Sequence, residues 1–172
     1  MNSNKRKSLR VFLNASILIV LIVVDQMSKY LATLNLKDKE AISIIDKVFE
    51  LRYLENRGAA FGMLQNQKYL FLVIATVMLL VIFYILVRLP LDKKYYVINA
   101  CLILIAAGAV GNMIDRVVND YVTDFFYFVL IDFPIFNMAD IYVTVACVIL
   151  VISVLFYYKE SDFAFLKRKK ED

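Results

Sequence analysis

The chain alternates long apolar stretches with short polar ones. Residues 11–34, 68–87, 96–114 and 138–158 are each apolar over about the 20 helical residues needed to cross a hydrocarbon core of about 30 Å. Four transmembrane helices are therefore predicted. Between the first two, the period changes. Phe49, Leu51 and Tyr53 alternate with Glu50 and Arg52, as on a half-exposed strand, and Asn56-Arg57-Gly58 then signals a turn. A small antiparallel sheet on the membrane surface is expected over residues 40–62. Residues 125–131 are rich in β-formers and are closed by Pro134, so a further strand or flap is expected before the last span. No internal repeat or low-complexity tract is visible. Residues 1–172 thus read as one integral membrane domain, with external loops at about 35–67 and 115–137.

Composition supports this pattern: 62% of residues are hydrophobic and the mean hydropathy is +0.68. The net charge of +4 invites a nucleic-acid reading, but the cations sit where topology signals belong. Twelve of the 20 Lys and Arg residues fall on the side that holds both termini and the 89–95 turn, including Lys5, Arg6, Lys7, Arg10, Arg88, Lys93, Lys94 and Lys159. That side is read as cytoplasmic, although the first external loop carries six cations of its own, Lys37, Lys39, Lys47, Arg52, Arg57 and Lys68. The basic start followed by an apolar run resembles a secretory signal, but Asp25 and Lys29 interrupt it and no small-x-small cleavage site follows at once, so it is read as a retained first span. Cys101 and Cys147 lie in mid-span and read as small hydrophobes, not as a disulfide or metal site.

There is no histidine, which removes Ser-His-Asp and Cys-His catalytic sets and the usual zinc-protease site. Paired carboxylates are then the best route to acid–base catalysis. The topology gathers the unusual polar residues at the outer face. Asp25 and Lys29 are spaced i, i+4 and can pair, either as structural support or with a direct catalytic role. Gly108 and Gly111 suit close helix packing. Asn112 and the adjacent Asp115 and Arg116 read as loop anchors, with Arg116 expected to hold Asp115 ionised. Asp124 and Asp140 stand in apolar surroundings without an adjacent cation. Asp140 alone would read as a helix N-cap or first-turn acid, but a second carboxylate at the same depth favours a pair in which one activates water and the other, protonated, polarises a carbonyl.

These residues fall into five motifs: Asp25-Gln26-x-x-Lys29, Glu55-Asn56-Arg57-Gly58-Ala59-Ala60-Phe61-Gly62, Gly108-x-x-Gly111-Asn112-x-x-Asp115-Arg116, Val122-Thr123-Asp124-Phe125 and Phe136-Asn137-x-Ala139-Asp140. In this order, on four correctly spaced spans, the sequence resembles the lipoprotein signal peptidases, or signal peptidase II, over nearly its whole length. The departures are small: Thr123 stands where many members have a second valine, and Ala107 where many have a first glycine of a pair. The resemblance implies an aspartic endopeptidase of the bacterial cytoplasmic membrane. Its substrates would be prolipoproteins whose cysteine carries diacylglycerol, cut just before that cysteine. It implies a dyad of Asp124 and Asp140, a substrate site shaped by Asn56, Gly58, Asn112, Arg116 and Asn137, and support from Asp25 and Lys29. The implied fold is a four-transmembrane-helix bundle, membrane all-α, with a small extracytoplasmic β-cradle and a short external helix or flap. No cofactor or metal is implied. The expected partners are the lipid-modified precursors and membrane lipid, without nucleic acid, and the chain is expected to act as a monomer with both termini cytoplasmic.

Two competing classes remain at this level. A transporter or proton-relay subunit would use Asp25, Lys29 and Asp140 along an ion path, though no span is broken at mid-membrane. A non-catalytic scaffold would leave the outer-face carboxylates unexplained. For a peptidase acting on a lipidated helix, lateral access from the bilayer is expected, with Phe61, Met138 and Ile141 near the path and residues 40–62 as a lid.

Overall fold

The structure is a computed structural model and describes residues 2–58 and 63–166. Among the described residues, four helices are long and apolar enough to cross a membrane. They are α1 (Ser3–Leu36), α2 (Lys68–Arg88), α3 (Tyr96–Asn119) and α4 (Met138–Phe156). Three strands, β1 (Ile42–Ile45), β2 (Phe49–Asn56) and β3 (Val122–Phe128), form one antiparallel sheet in that order.

The apolar runs locate the spans but not the ends of the helices. α1 starts at Ser3, so its basic first turns are helical, and its 34 residues measure about 51 Å, well beyond the hydrocarbon core. α3 continues past residue 114 to Asn119 and stops at Asp120, whose left-handed φ of 68° turns the chain back into β3. Asp115 and Arg116 are therefore helical residues and not part of a loop, because a helix keeps its hydrogen-bond ladder after it leaves the apolar layer. α4 ends at Phe156, two residues short of expectation.

α3 is the centre of the bundle. It is the most buried span, and α1, α2 and α4 all pack on it, whereas α2 makes no extended contact with α1 or α4. Gly108 permits the closest approach, since a Cβ there would stand 2.5 Å from the Ala139 carbonyl oxygen of α4. The outward faces of α1, α2 and α4 expose Val, Ile, Leu and Phe side chains, as lipid-facing helices do. Cys101 is buried, Cys147 is exposed, and both are free thiols.

β1 and β2 form a hairpin, and β2 then pairs with β3, which begins three residues earlier than its β-rich composition suggests. That shift has a consequence for the site: it sets Asp124 inside a strand, opposite Leu54 and near the Asn56 end of β2. A single 3-10 turn, Val129–Ile131, follows β3, and Phe136 then bridges back to Phe126. At the other membrane face, Arg10 of α1 donates to the Pro90 carbonyl oxygen, Arg88 to that of Leu166, and Lys94 pairs with Asp162.

Candidate active site

α4 begins with a reciprocal cap that fixes its first acid. The Asn137 side-chain oxygen accepts from the Asp140 N–H at 3.2 Å, and the Asp140 carboxylate accepts from the Asn137 N–H at 3.1 Å. The cap reading of Asp140 is thus correct, and it does not exclude chemistry. The second oxygen of Asp140 accepts from the Asn112 amide at 2.9 Å, and the carboxylate borders a cavity.

Asp124 comes from β3 and is 2% exposed. One oxygen accepts from the Asn56 amide at 2.8 Å and the other from the Asn137 amide at 2.6 Å. Asn137 therefore holds both carboxylates, through its side chain for Asp124 and its backbone for Asp140. Burial and the nearby Asp140 charge push the Asp124 carboxyl up to about 7, against the opposing effect of its two amide donors.

The surrounding cavity has a volume of about 550 Å³. Asp124, Asp140, Asn56, Asn112 and Arg116 supply its polar wall, and Phe71, Phe136, Ile141 and Val145 are among its apolar lining. Below it, an apolar groove continues between α2 and α4 over α3, lined by Ile74, Met78, Ala109 and Val143. It shares Asn112, Arg116 and Asp140 with the cavity. Arg116 closes one side: it donates to the Asn112 and Gly58 carbonyl oxygens, both at 3.3 Å, and lies 4.5 Å from the Phe71 ring centroid. The Gly58 N–H donates to the Asn56 side-chain oxygen at 2.9 Å, an Asx turn that leaves the Asn56 amide free for Asp124.

Behind the pair lies a buried ionic cluster. Lys29 reaches Asp25 at 3.0 Å, Asp115 at 3.1 Å and the Asn112 side-chain oxygen at 2.9 Å, which uses its three N–H donors. Asp25 accepts from the Ala139 N–H at 2.9 Å, and Asp115 from the Thr123 N–H at 3.0 Å. Each of these backbone groups immediately precedes a cavity carboxylate. Through these two acids the lysine ties the strand that carries Asp124 to the helix that carries Asp140.

Asp115 pairs with a cation and holds local backbone, as expected of a structural anchor, but the cation is Lys29 and not the adjacent Arg116. Consecutive helical residues diverge by about 100°, so Asp115 points to α1 while Arg116 points toward α2 and Gly58. Ile141 lines the cavity as expected, whereas Met138 packs instead on Ala32, Leu36 and Phe125; Phe61 lies outside the described residues. Gln26 has no role assigned to it by sequence reasoning. Its amide bridges Asp25, Asp115 and the Gly111 carbonyl oxygen, and an amide inside an apolar run is the signal that points to it. Thr144, one turn below Asp140 on the same face, lines the cavity too. Asp25 and Lys29 spend their polar atoms on each other and on neighbours, as side chains that support the bundle do.

By class this is a multi-pass membrane enzyme with a carboxylate pair at one face of its bundle. Comparisons with known proteins give the family. Residues 17–156 match the family described as Signal peptidase (SPase) II. The chain is 45% identical over 145 residues to the lipoprotein signal peptidase of Clostridioides difficile (strain 630), covering 84% of this chain and 96% of that one. It is 41% identical over 145 residues to the lipoprotein signal peptidase of Streptococcus thermophilus (strain CNRZ 1066), covering 84% and 92%. A solved bacterial membrane enzyme superposes with a TM-score of 0.75 at 26% identity, over 94% of this chain and 95% of that chain. A second, also a bacterial membrane enzyme, gives 0.73 at 28% identity, over 86% and 96%. The chain belongs to the signal peptidase II family, peptidases that remove signal peptides from prolipoproteins.

Proposed function

We propose that this chain is an aspartic endopeptidase with Asp124 and Asp140 as its catalytic dyad, cutting diacylglyceryl-modified prolipoproteins just before the lipidated cysteine. The observation that carries this reading is the pair itself: two carboxylates from different elements, joined through Asn137, border one cavity at the end of an apolar groove. The whole of residues 1–172 serves as one catalytic domain. A single chain supplies every group in the site, so a monomer suffices. The basic side of the bundle is cytoplasmic and the dyad lies at the outer face of the bacterial cytoplasmic membrane.

Near neutrality the dyad shares one proton, which we assign to Asp124, where burial and the Asp140 charge together raise the carboxyl to about 7. Asp140, ionised, takes a proton from a water as that water's oxygen attacks the scissile carbonyl carbon. Asp124 donates its proton toward the carbonyl oxygen, and a tetrahedral diol forms. In its collapse, Asp140 returns its proton to the departing cysteine nitrogen as the C–N bond breaks, and Asp124 recovers its own from the hydroxyl that becomes the new carboxyl group. Asn56 and Gly58 border the bound peptide from the sheet, Asn112 and Asn137 hold the dyad, and Arg116 takes a substrate carbonyl. The signal helix and acyl chains reach the site laterally through the α2–α4 groove, which keeps them in hydrocarbon, and the described part of the expected lid, residues 40–58, covers them.

The test uses purified protein in detergent with one precursor in two forms, with and without the diacylglyceryl group. Cleavage of the modified form alone is expected; equal cleavage of both would overturn the substrate assignment.

The pH dependence follows from Asp124. Its raised pKa means it is protonated below about pH 7 and ionised above. Cleavage should accordingly fall as pH rises through about 7, approaching about tenfold per pH unit, since the acid form is lost. A rate that is flat from about pH 6 to about pH 9 would contradict the shared-proton mechanism.

A further inference from the structure

The bundle has a second cavity, of about 470 Å³, between the start of α1, the 89–95 turn and the start of α3. It lies at the membrane face opposite the carboxylates, since Arg10 precedes Asp25 by 15 residues of α1, about 22 Å along the axis. Arg6, Arg10 and Lys93 line it, and no acidic residue does. Topology alone asks only that cations be on this side; it does not ask that three of them converge on a cavity.

Arg10 is held in place. It donates to the Pro90 carbonyl oxygen at 2.9 Å and the Leu86 carbonyl oxygen at 3.4 Å, which leaves three of the five guanidinium N–H groups for a ligand. Arg6, one turn earlier, and Lys93, across the cavity, have no acidic partner among the described residues. The neighbouring Asp92 is occupied as the cap of the next turn, accepting from the Lys94 N–H at 2.7 Å.

About one turn deeper, roughly 6 Å at 1.5 Å per residue, Asn14 and Asn99 also line the cavity and bond each other reciprocally at 2.9 and 2.8 Å. Each amide keeps one N–H for another acceptor. Leu13, beside the amides, and Ile17, three residues deeper than Asn14, are 48% and 51% exposed and carry the same wall on toward the membrane interior. From the membrane face inward, the cavity presents cations, then amide donors, then apolar surface.

We propose that this cavity is a binding site for an anionic phospholipid. Its phosphate sits among Arg6, Arg10 and Lys93, an ester carbonyl accepts from the Asn14–Asn99 pair, and an acyl chain lies along Leu13 and Ile17. The order and spacing of these groups match those of a phospholipid, which a free anion would not use in full. A cationic peptide segment is excluded by like charge. A zwitterionic lipid brings its own cation and loses much of the gain, which near a membrane surface is roughly fivefold per Lys or Arg.

The experiment uses the full chain purified in detergent and stripped of lipid. Phosphatidylglycerol or phosphatidylcholine is then titrated while bound lipid is read by native mass spectrometry. Wild type is expected to retain phosphatidylglycerol at least about tenfold better than phosphatidylcholine. The double variant Arg6→Gln/Lys93→Gln removes two exposed cations that hold no other part of the fold, and should bring the preference to about twofold or less. Lys5→Gln/Lys7→Gln removes the same amount of charge from the start of α1, outside the cavity, and should keep it. Equal retention of the two lipids by wild type, or equal loss in both double variants, would overturn the site. Displacement of the lipid by millimolar inorganic phosphate would overturn the lipid assignment. None of these readings uses proteolysis, so they stand or fall apart from the proposed catalytic function.

Discussion

Asp124→Asn and Asp140→Asn should each give a protein that inserts and folds yet cleaves at least about 10³-fold more slowly. The substitution keeps the shape of the side chain and removes the acid–base group. At position 124 an amide can still accept from either Asn56 or Asn137, but not from both in the present geometry. At position 140 it keeps either the N–H of Asn137 or the Asn112 amide as a partner. One buried hydrogen bond is lost in each case, about 1–2 kcal/mol, so thermal unfolding should move by a few degrees at most. The double variant should be no slower than the worse single one, because groups that act as a unit are not additive. The measurement is single-turnover cleavage of the lipid-modified precursor, with a melting curve for each variant. Activity within about tenfold of wild type in either well-folded variant would remove that residue from the dyad.

Much of this site is legible in the amino-acid sequence, and the parts that are not share a physical cause. The four spans follow from length and hydropathy, which the bilayer imposes on any helix that crosses it. Asp25 and Lys29 follow from helical periodicity, a local property. What hydropathy cannot show is where a helix stops once it reaches water. α3 runs on to Asn119, and the pairing of Asp115 changes with it. In a loop, Asp115 and Arg116 could face one another; on a helix they cannot. The early start of β3 is invisible for a different reason. Val122 becomes a strand residue by pairing with Asn56, 66 positions away, and nothing in residues 122–124 alone requires it. The most informative miss is the role of Ala139 and Thr123. Their side chains carry no chemistry, but their backbone N–H groups are the points at which Asp25 and Asp115 grip the two elements that carry the dyad. Backbone donors leave no mark in a sequence.

That grip supports the second large prediction, which concerns Lys29. The ammonium is 4% exposed and sits between two carboxylates that are buried as deeply. Taking it away leaves two like charges facing each other without a cation, and breaking a buried pair in this way costs about 3–5 kcal/mol. Lys29→Met should therefore lower the unfolding temperature strongly. It should also impair cleavage, since Asn112 loses one of the two donors, Lys29 and the Asn137 amide, that orient it toward Asp140. Asp115→Asn acts on the same cluster with the opposite sign. The cluster carries two acids and one base, so the change brings it to neutrality, and the asparagine oxygen can still accept from the Thr123 N–H. Its cost should be smaller, about 1–2 kcal/mol, with cleavage surviving at reduced temperature. The decisive variant combines the two. If the charges are coupled, Lys29→Met/Asp115→Asn will be more stable than Lys29→Met alone, because the second change removes one of the stranded carboxylates. Chemical unfolding of the three variants and wild type in one detergent gives the coupling directly. Losses that simply add would mean that Lys29 contributes only packing and that the cluster does not hold Thr123 and Ala139 electrostatically. Recovery of stability without recovery of cleavage would instead separate the two duties of Lys29: it balances the buried acids, and through Asn112 it aims Asp140.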